Sequence, residues 1–290
     1  MTLATPPPGI PILASISSLA TAADVWLSDV WGVIHNGRAA FPPAVDACVK
    51  FREHGGTVIL ITNAPRPDAA VAEALARLGV SRAAWDAIVT SGDVTRDLIK
   101  PWGRRPLFHL GPARDAGIFD GLDVAFAAAD AADVVVCTGL FDDETETPET
   151  YRPMLERLAA RATSMICANP DVFVERGDRL VSCAGGIAQL YQALGGTVIY
   201  AGKPYAPIYQ RAFDLAASLR GETVPKQRIL AIGDGLKTDL LGAGQAGIPS
   251  VFIASALHVD PSRDFNDALL ADLFAGYPYP PIAAQPVLRW

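Results

Sequence analysis

The stretch VWLSDVWGV, residues 25 to 33, is apolar at nearly every position up to Asp29 and then opens through Trp31 and Gly32 into a turn. A strand that faced water on one side would alternate apolar and polar residues, so this one reads as covered on both faces. Runs of the same kind recur: TVILIT (57 to 62), AIVT (87 to 90), VVVCTG (134 to 139), SMICAN (164 to 169), TVIYAG (197 to 202), RILAIGD (228 to 234) and SVFIA (250 to 254). Between most of them lie segments with helical apolar spacing, such as DAAVAEALARLGV and YRPMLERLAARA. This alternation predicts an α/β protein with doubly wound, Rossmann-like parallel sheets covered by helices on both faces.

Such sheets bind ligands just beyond the carboxyl ends of their strands. Asp29, Thr62, Asn63, Lys203 and Asp234 all fall there. In GDGLKTD, residues 233 to 239, Asp234 ends a strand and Asp239 follows five residues later in the first turn of a helix. With Asp29 arriving from a neighbouring strand, three carboxylates would repel one another unless a divalent cation neutralised them, and an oxygen-only ligand set favours Mg²⁺ over zinc. The plain alternative is that Asp234 and Asp239 are turn and N-cap residues. Thr62 and Asn63, in ILITNAPRP, offer a hydroxyl and backbone N–H groups to phosphate oxygens, although Thr-Asn before Ala-Pro also makes an ordinary turn. Lys203, in YAGKPYAPIY, would add a positive charge there or simply occupy a solvated turn.

With half of its 290 residues hydrophobic and 19% charged, the chain can bury a large core and is long enough for two domains. Its net charge of -7 repels polyanions, so nucleic acid is a poor partner, while a small anion could still sit in a locally positive pocket. The four cysteines, Cys48, Cys137, Cys167 and Cys183, show no metal-ligand spacing and read as reduced, buried thiols of a cytoplasmic protein. The leader, residues 1 to 22, has no Lys or Arg and is interrupted by prolines, which fits neither a signal peptide nor a membrane span. The acidic run FDDETETPET, residues 141 to 150, reads as a solvated loop entering a helix capped by Thr147, and the Pro-rich end as an extended tail on the surface.

Taken together and in order, the segments around Asp29, Thr62, Lys203 and Asp234 resemble the four motifs of the haloacid dehalogenase superfamily, most closely its class IIA, NagD-like branch of small-molecule phosphatases. The resemblance covers nearly the whole chain. It implies a core of residues 16 to 103 and 197 to 290 with an inserted α/β cap at about 104 to 196, whose segments Cys167 to Asp171 and Cys183 to Gly186 match the family's ANPD stretch and Gly-rich turn. It also implies a Mg²⁺-dependent phosphatase of a small phosphorylated metabolite, a sugar phosphate being one candidate. Asp29 would be the nucleophile, forming an aspartyl phosphate, and a metal ligand together with the backbone carbonyl of Trp31, Asp234 and Asp239. Thr62 and Asn63 would hold the phosphoryl group, Lys203 would neutralise it, and Asn169 and Asp171 would meet the substrate from the cap or form an Asx turn around Pro170. Arg66 would meet the substrate or only form a salt bridge to the cap. A homodimer through caps or edge strands is compatible with such a fold.

The departure is Trp31. Family phosphatases carry a second Asp at this offset from the nucleophile, which protonates the leaving alcohol and then activates water. Losing general acid and base help typically costs about 10² to 10⁴ in rate. Three readings follow: His35 in VIHNG supplies the proton, or the substrate has a good leaving group; the chemistry is metal-free halide displacement, where a Tyr holds this offset, although retaining Asp234 and Asp239 counts against that; or the protein binds a phosphorylated ligand with little or no turnover.

Overall fold

The computed structural model describes residues 9–176, 179–254 and 264–290. Thirteen strands occur among these residues: β1 (Val25–Asp29), β2 (Thr57–Thr62), β3 (Ala87–Thr90), β4 (Pro106–Leu110), β5 (Ala125–Phe126), β6 (Val134–Cys137), β7 (Ser164–Cys167), β8 (Phe173–Arg176), β9 (Arg179–Ser182), β10 (Val198–Tyr200), β11 (Ile229–Gly233), β12 (Ser250–Ile253) and β13 (Ala283–Gln285). The α-helices are α1 (Ser17–Ala20), α2 (Pro42–Glu53), α3 (Asp68–Arg77), α4 (Ser91–Ile99), α5 (Arg152–Ala160), α6 (Ala184–Ala193), α7 (Ala206–Arg220), α8 (Leu241–Ala246) and α9 (Asp267–Leu273). One sheet runs in the order β13-β12-β11-β1-β2-β3 and a second in the order β10-β7-β6-β4-β5, with β8 and β9 forming a separate antiparallel hairpin. The doubly wound, parallel α/β architecture expected from the apolar runs is the one found.

The chain divides into two units. The first comprises the described parts of Met1–Leu60, Gly79–Asp86 and Ala216–Trp290; the second comprises Ile61–Leu78 and Ala87–Leu215. In the second, the lack of alternation in the strands has a direct cause. Val135, Cys137, Met165 and Cys167 pack with Leu155 and Leu158 of α5 and with Ile187 and Tyr191 of α6. Their neighbours Val134, Val136 and Ile166 turn the other way, onto Ile99, Ile118 and Phe119. Both pleat faces of β6 and β7 are therefore dry, and every position in these two strands except Ser164 is apolar. In the first unit Trp26 stacks on Phe51 with ring centroids 3.9 Å apart, and Phe252 packs with Leu240, Leu269, Leu270 and Phe274.

Register places the functional ends. β1 and β11 pair in parallel with Ser28 opposite Ile232, so Asp29 stands level with Gly233 and one residue short of Asp234. All four cysteines are free and buried. The Pro-rich end departs from the expected surface tail: Ala283, Ala284 and Gln285 are buried as β13, paired in parallel with β12, and Leu288 is also buried. In the leader, residues 1 to 8 lie outside the described residues, and Leu13 donates its backbone N–H to Ala284. Among the described residues no helix is long and apolar enough to cross a membrane.

Candidate active site

Asp29, Asp234 and Asp239 converge, each offering a carboxylate oxygen within 4.8 Å of the others, and all three are buried. Two of them arrive on adjacent parallel strands. The third arrives because the chain after β11 winds through Gly235 into a single π-helical turn, Leu236–Leu240, which brings Asp239 back over the strand end. Asp239 is steadied by its own turn: its Oδ2 accepts from the Gly235 N–H at 3.1 Å and from Thr238 Oγ1 at 3.3 Å. Gly32 is required beside it, since a Cβ there would lie 2.1 Å from Asp234 Oδ2, and its φ is +84°. Three clustered, buried carboxylates with oxygen donors only fit a hard divalent cation, which relieves a repulsion that burial makes severe.

The loop after Asp29 is knotted by its own backbone. The Val30 carbonyl accepts from the N–H groups of Ile34 and His35, and the Gly32 N–H donates to the His35 carbonyl at 2.8 Å. These bonds leave the Trp31 carbonyl out. The Trp31 indole lies against Gly37, where a Cβ would stand 2.2 Å from the ring, and meets the His35 ring edge-on at 5.2 Å. His35 is buried, its Nδ1 accepts from the Gly37 N–H at 2.8 Å, and burial holds its pKa below the ordinary imidazole value.

In the second unit Asn63 acts as a clamp. Its Oδ1 accepts from the Lys203 N–H at 2.7 Å, and its Nδ2 donates to the Lys203 carbonyl at 3.1 Å and to Asp171 Oδ1 at 2.9 Å. Lys203 is buried, with Nζ donating to the Ile61 carbonyl at 3.2 Å, and Thr62 Oγ1 accepts from the Ala64 N–H. Asn169 Oδ1 accepts from the Asp171 N–H at 3.1 Å, closing an Asx turn around Pro170. The structure thus joins Asn63, Lys203 and Asp171 through side-chain contacts that span 108 and 140 residues of sequence. Gly202 allows the approach, because a Cβ on it would strike Asn63 Oδ1 at 2.3 Å.

One feature escaped the reading of the sequence. Ser91, at the start of α4, has a buried Oγ with no hydrogen-bond partner and lies 2.8 Å from where a Gly202 Cβ would be. The run of Ser, Gly and Asp directly after AIVT was the available signal, since it too follows a strand end. Arg66 pairs with Asp115, Nε to Oδ1 3.6 Å, while Thr138 Oγ1 bonds His109 Nε2 at 2.8 Å. Burial raises the Asp115 pKa, with Arg66, Arg114 and Thr138 opposing that rise.

The haloacid dehalogenase-like hydrolase model matches residues 26–125, and a HAD-hydrolase-like model matches residues 200–271. A haloacid dehalogenase-like hydrolase from Brucella suis 1330 is 49% identical, with 84% of this chain and 93% of that one aligned at a TM-score of 0.81. The Escherichia coli (strain K12) ribonucleotide monophosphatase NagD is 25% identical over 80% of this chain and 87% of its own length. A possible sugar phosphatase of the HAD superfamily from Cytophaga hutchinsonii shares the fold, with a TM-score of 0.77 at 22% identity over 96% of this chain and 98% of that one. The chain belongs to the haloacid dehalogenase-like hydrolase family.

Proposed function

We propose that this phosphohydrolase is Mg²⁺-dependent and cleaves a small phosphomonoester, a sugar phosphate being one candidate, through an aspartyl phosphate on Asp29. The observation that carries the proposal is the buried cluster of Asp29, Asp234 and Asp239 within 4.8 Å. Asp234, Asp239, Asp29 and the Trp31 carbonyl would hold the cation, which supplies charge neutralisation for nucleophile and phosphoryl oxygens. Asp29 attacks phosphorus in line; Thr62 and the Asn63 backbone orient the phosphoryl group; Lys203 offsets its charge. Asn63 also positions Lys203 through the paired bonds across its amide. The clustered acids weigh against metal-free halide displacement, where they would be left buried and mutually repelling.

We assign residues 104 to 196 to a cap and 16 to 103 with 197 to 290 to the core; the pairing of β10 with β7 supports counting Val198–Tyr200 with the cap sheet. Asp171, held by Asn63, is its proposed substrate contact, and Asn169 shapes the turn that presents it. A cytoplasmic setting accords with four free, buried cysteines. Trp31 favours one second reading, a ligand-holding protein with slow turnover. Inorganic phosphate release from p-nitrophenyl phosphate and a panel of small phosphomonoesters, with and without Mg²⁺, separates the two. Turnover that needs Mg²⁺ and disappears in Asp29→Asn supports the phosphatase; binding of Mg²⁺ and phosphate with no release from any ester supports the ligand holder.

A further inference from the structure

We propose that the enzyme takes activated phosphates, meaning acyl, enol or aryl phosphates whose leaving group departs as a stable anion, and that the phosphate then accumulates on Asp29. This rests on the reading of Asp29 as nucleophile, and it follows from what surrounds that residue on its own loop. The indole of Trp31, two residues beyond Asp29, offers a weak N–H donor and no group that exchanges a proton near neutral pH. It is no mobile stand-in for a missing acid, because its ring is seated on Gly37 and edge-on to His35. His35 is enclosed by the same loop at 7% exposure, and its Nδ1 already accepts from the Gly37 N–H. Arg38 is the one other ionisable side chain between Val30 and Ala40, and a guanidinium offers donors but no acceptor atom to receive a proton. Asp234 and Asp239 are committed to the carboxylate cluster.

The reaction then balances as follows. An Asp29 carboxylate oxygen bonds to phosphorus as the bond from phosphorus to the leaving oxygen breaks, and that oxygen keeps the electron pair and leaves as an anion. Water next bonds to phosphorus, the aspartyl oxygen departs with its electron pair to restore the carboxylate, and the proton of the water is lost to solvent. The first step tolerates the lack of an acid only when the departing oxyanion is stable. The second gains no base from this loop whatever the substrate was, so a fast first step leaves the phosphoenzyme waiting. Trp31 therefore sets a substrate class and a kinetic signature together. Trp31 is 37% exposed, and its indole also offers an apolar surface to a planar leaving group.

The experiment is a leaving-group series with the full chain and Mg²⁺: substituted phenyl phosphates, acetyl phosphate and glycerol phosphate, in stopped flow and in steady state. The expected result is a kcat/KM that falls by about 10² to 10⁴ from nitrophenyl to alkyl esters, with a burst approaching one leaving group per enzyme and a phosphate adduct on intact-mass spectra that Asp29→Asn lacks. Trp31→Asp is expected to flatten the series and remove the burst, whereas Trp31→Phe, which also lacks an acid, keeps the slope and so guards against a misfolded Asp variant. A wild-type series that is flat, with no burst, overturns the inference and leaves the phosphatase reading standing. Absence of turnover and of adduct with every ester overturns the phosphatase reading itself.

Discussion

Gly32 and Gly55 have nearly the same backbone, with φ of +84° and +85°, yet they face opposite surroundings. A Cβ on Gly55 meets nothing within 4 Å, whereas one on Gly32 would stand 2.1 Å from Asp234 Oδ2. Gly55→Ala therefore carries only the left-handed backbone penalty of about 1 kcal/mol. Gly32→Ala carries the same penalty and must also push Asp234 out of the carboxylate cluster. The expected outcome is a loss of melting temperature in Gly32→Ala at least as large as in Gly55→Ala, and a tenfold or greater rise, on the order of 1 to 3 kcal/mol of site distortion, in the Mg²⁺ concentration for half-maximal turnover in Gly32→Ala alone. A Mg²⁺ titration of the two variants checks it, and equal midpoints would show that Asp234 moves freely.

The start of α4 shows how one polar pair can end a strand and open a helix. Thr90 Oγ1 accepts from the Asp93 N–H at 2.9 Å and donates to Asp93 Oδ2 at 2.8 Å, while the Asp68 N–H also donates to that oxygen. Burial nevertheless raises the Asp93 pKa, with the negative charge of Asp68 adding to the rise. The unfolded chain gives up this proton first, so stability falls as pH climbs from about the ordinary value of 3.8 towards the raised folded value, and is level above it. Asn at this position keeps an oxygen acceptor for both donors and never ionises. Asp93→Asn is expected to melt higher than the native chain above that window, with the gap closing as pH drops towards 3.8; a gap independent of pH would remove the burial argument. The elements themselves were legible wherever both faces of a strand are covered, because burial leaves an unbroken apolar run, as in TVILIT for β2 and AIVT for β3. Those missed lack that signature: β4 carries the half-buried Phe108 and His109, β8 and β9 carry charged residues, and β13 is the short AAQ within a Pro-rich segment. The acids at strand ends were legible for the same reason as the strands. The amide clamp of Asn63 was not, since its partners Asp171 and Lys203 are set by tertiary contacts that no local pattern records.

The molecule carries a net charge of -7, and its field favours divalent cations as it disfavours polyanions. Within that field the three acids of the cluster all belong to the first unit, on and just after β1 and β11, whereas the apolar core of β6 and β7 belongs to the second. A cation bound by the folded cluster and not by the unfolded chain stabilises by mass action, about 2.7 kcal/mol at a free concentration a hundredfold above its dissociation constant. Without the cation the same carboxylates oppose folding, because like charges are held together in a buried place. Asp234→Asn should therefore be at least as stable as the native chain in EDTA and gain nothing from Mg²⁺, while the native chain gains substantially. Hydrogen exchange locates the effect: Mg²⁺ should slow exchange in peptides covering β1 and β11 of the native chain and leave the same peptides of Asp234→Asn unchanged. Slowing that is equal in the two proteins would mean that the cation binds elsewhere, and the convergence of Asp29, Asp234 and Asp239 would then need another explanation.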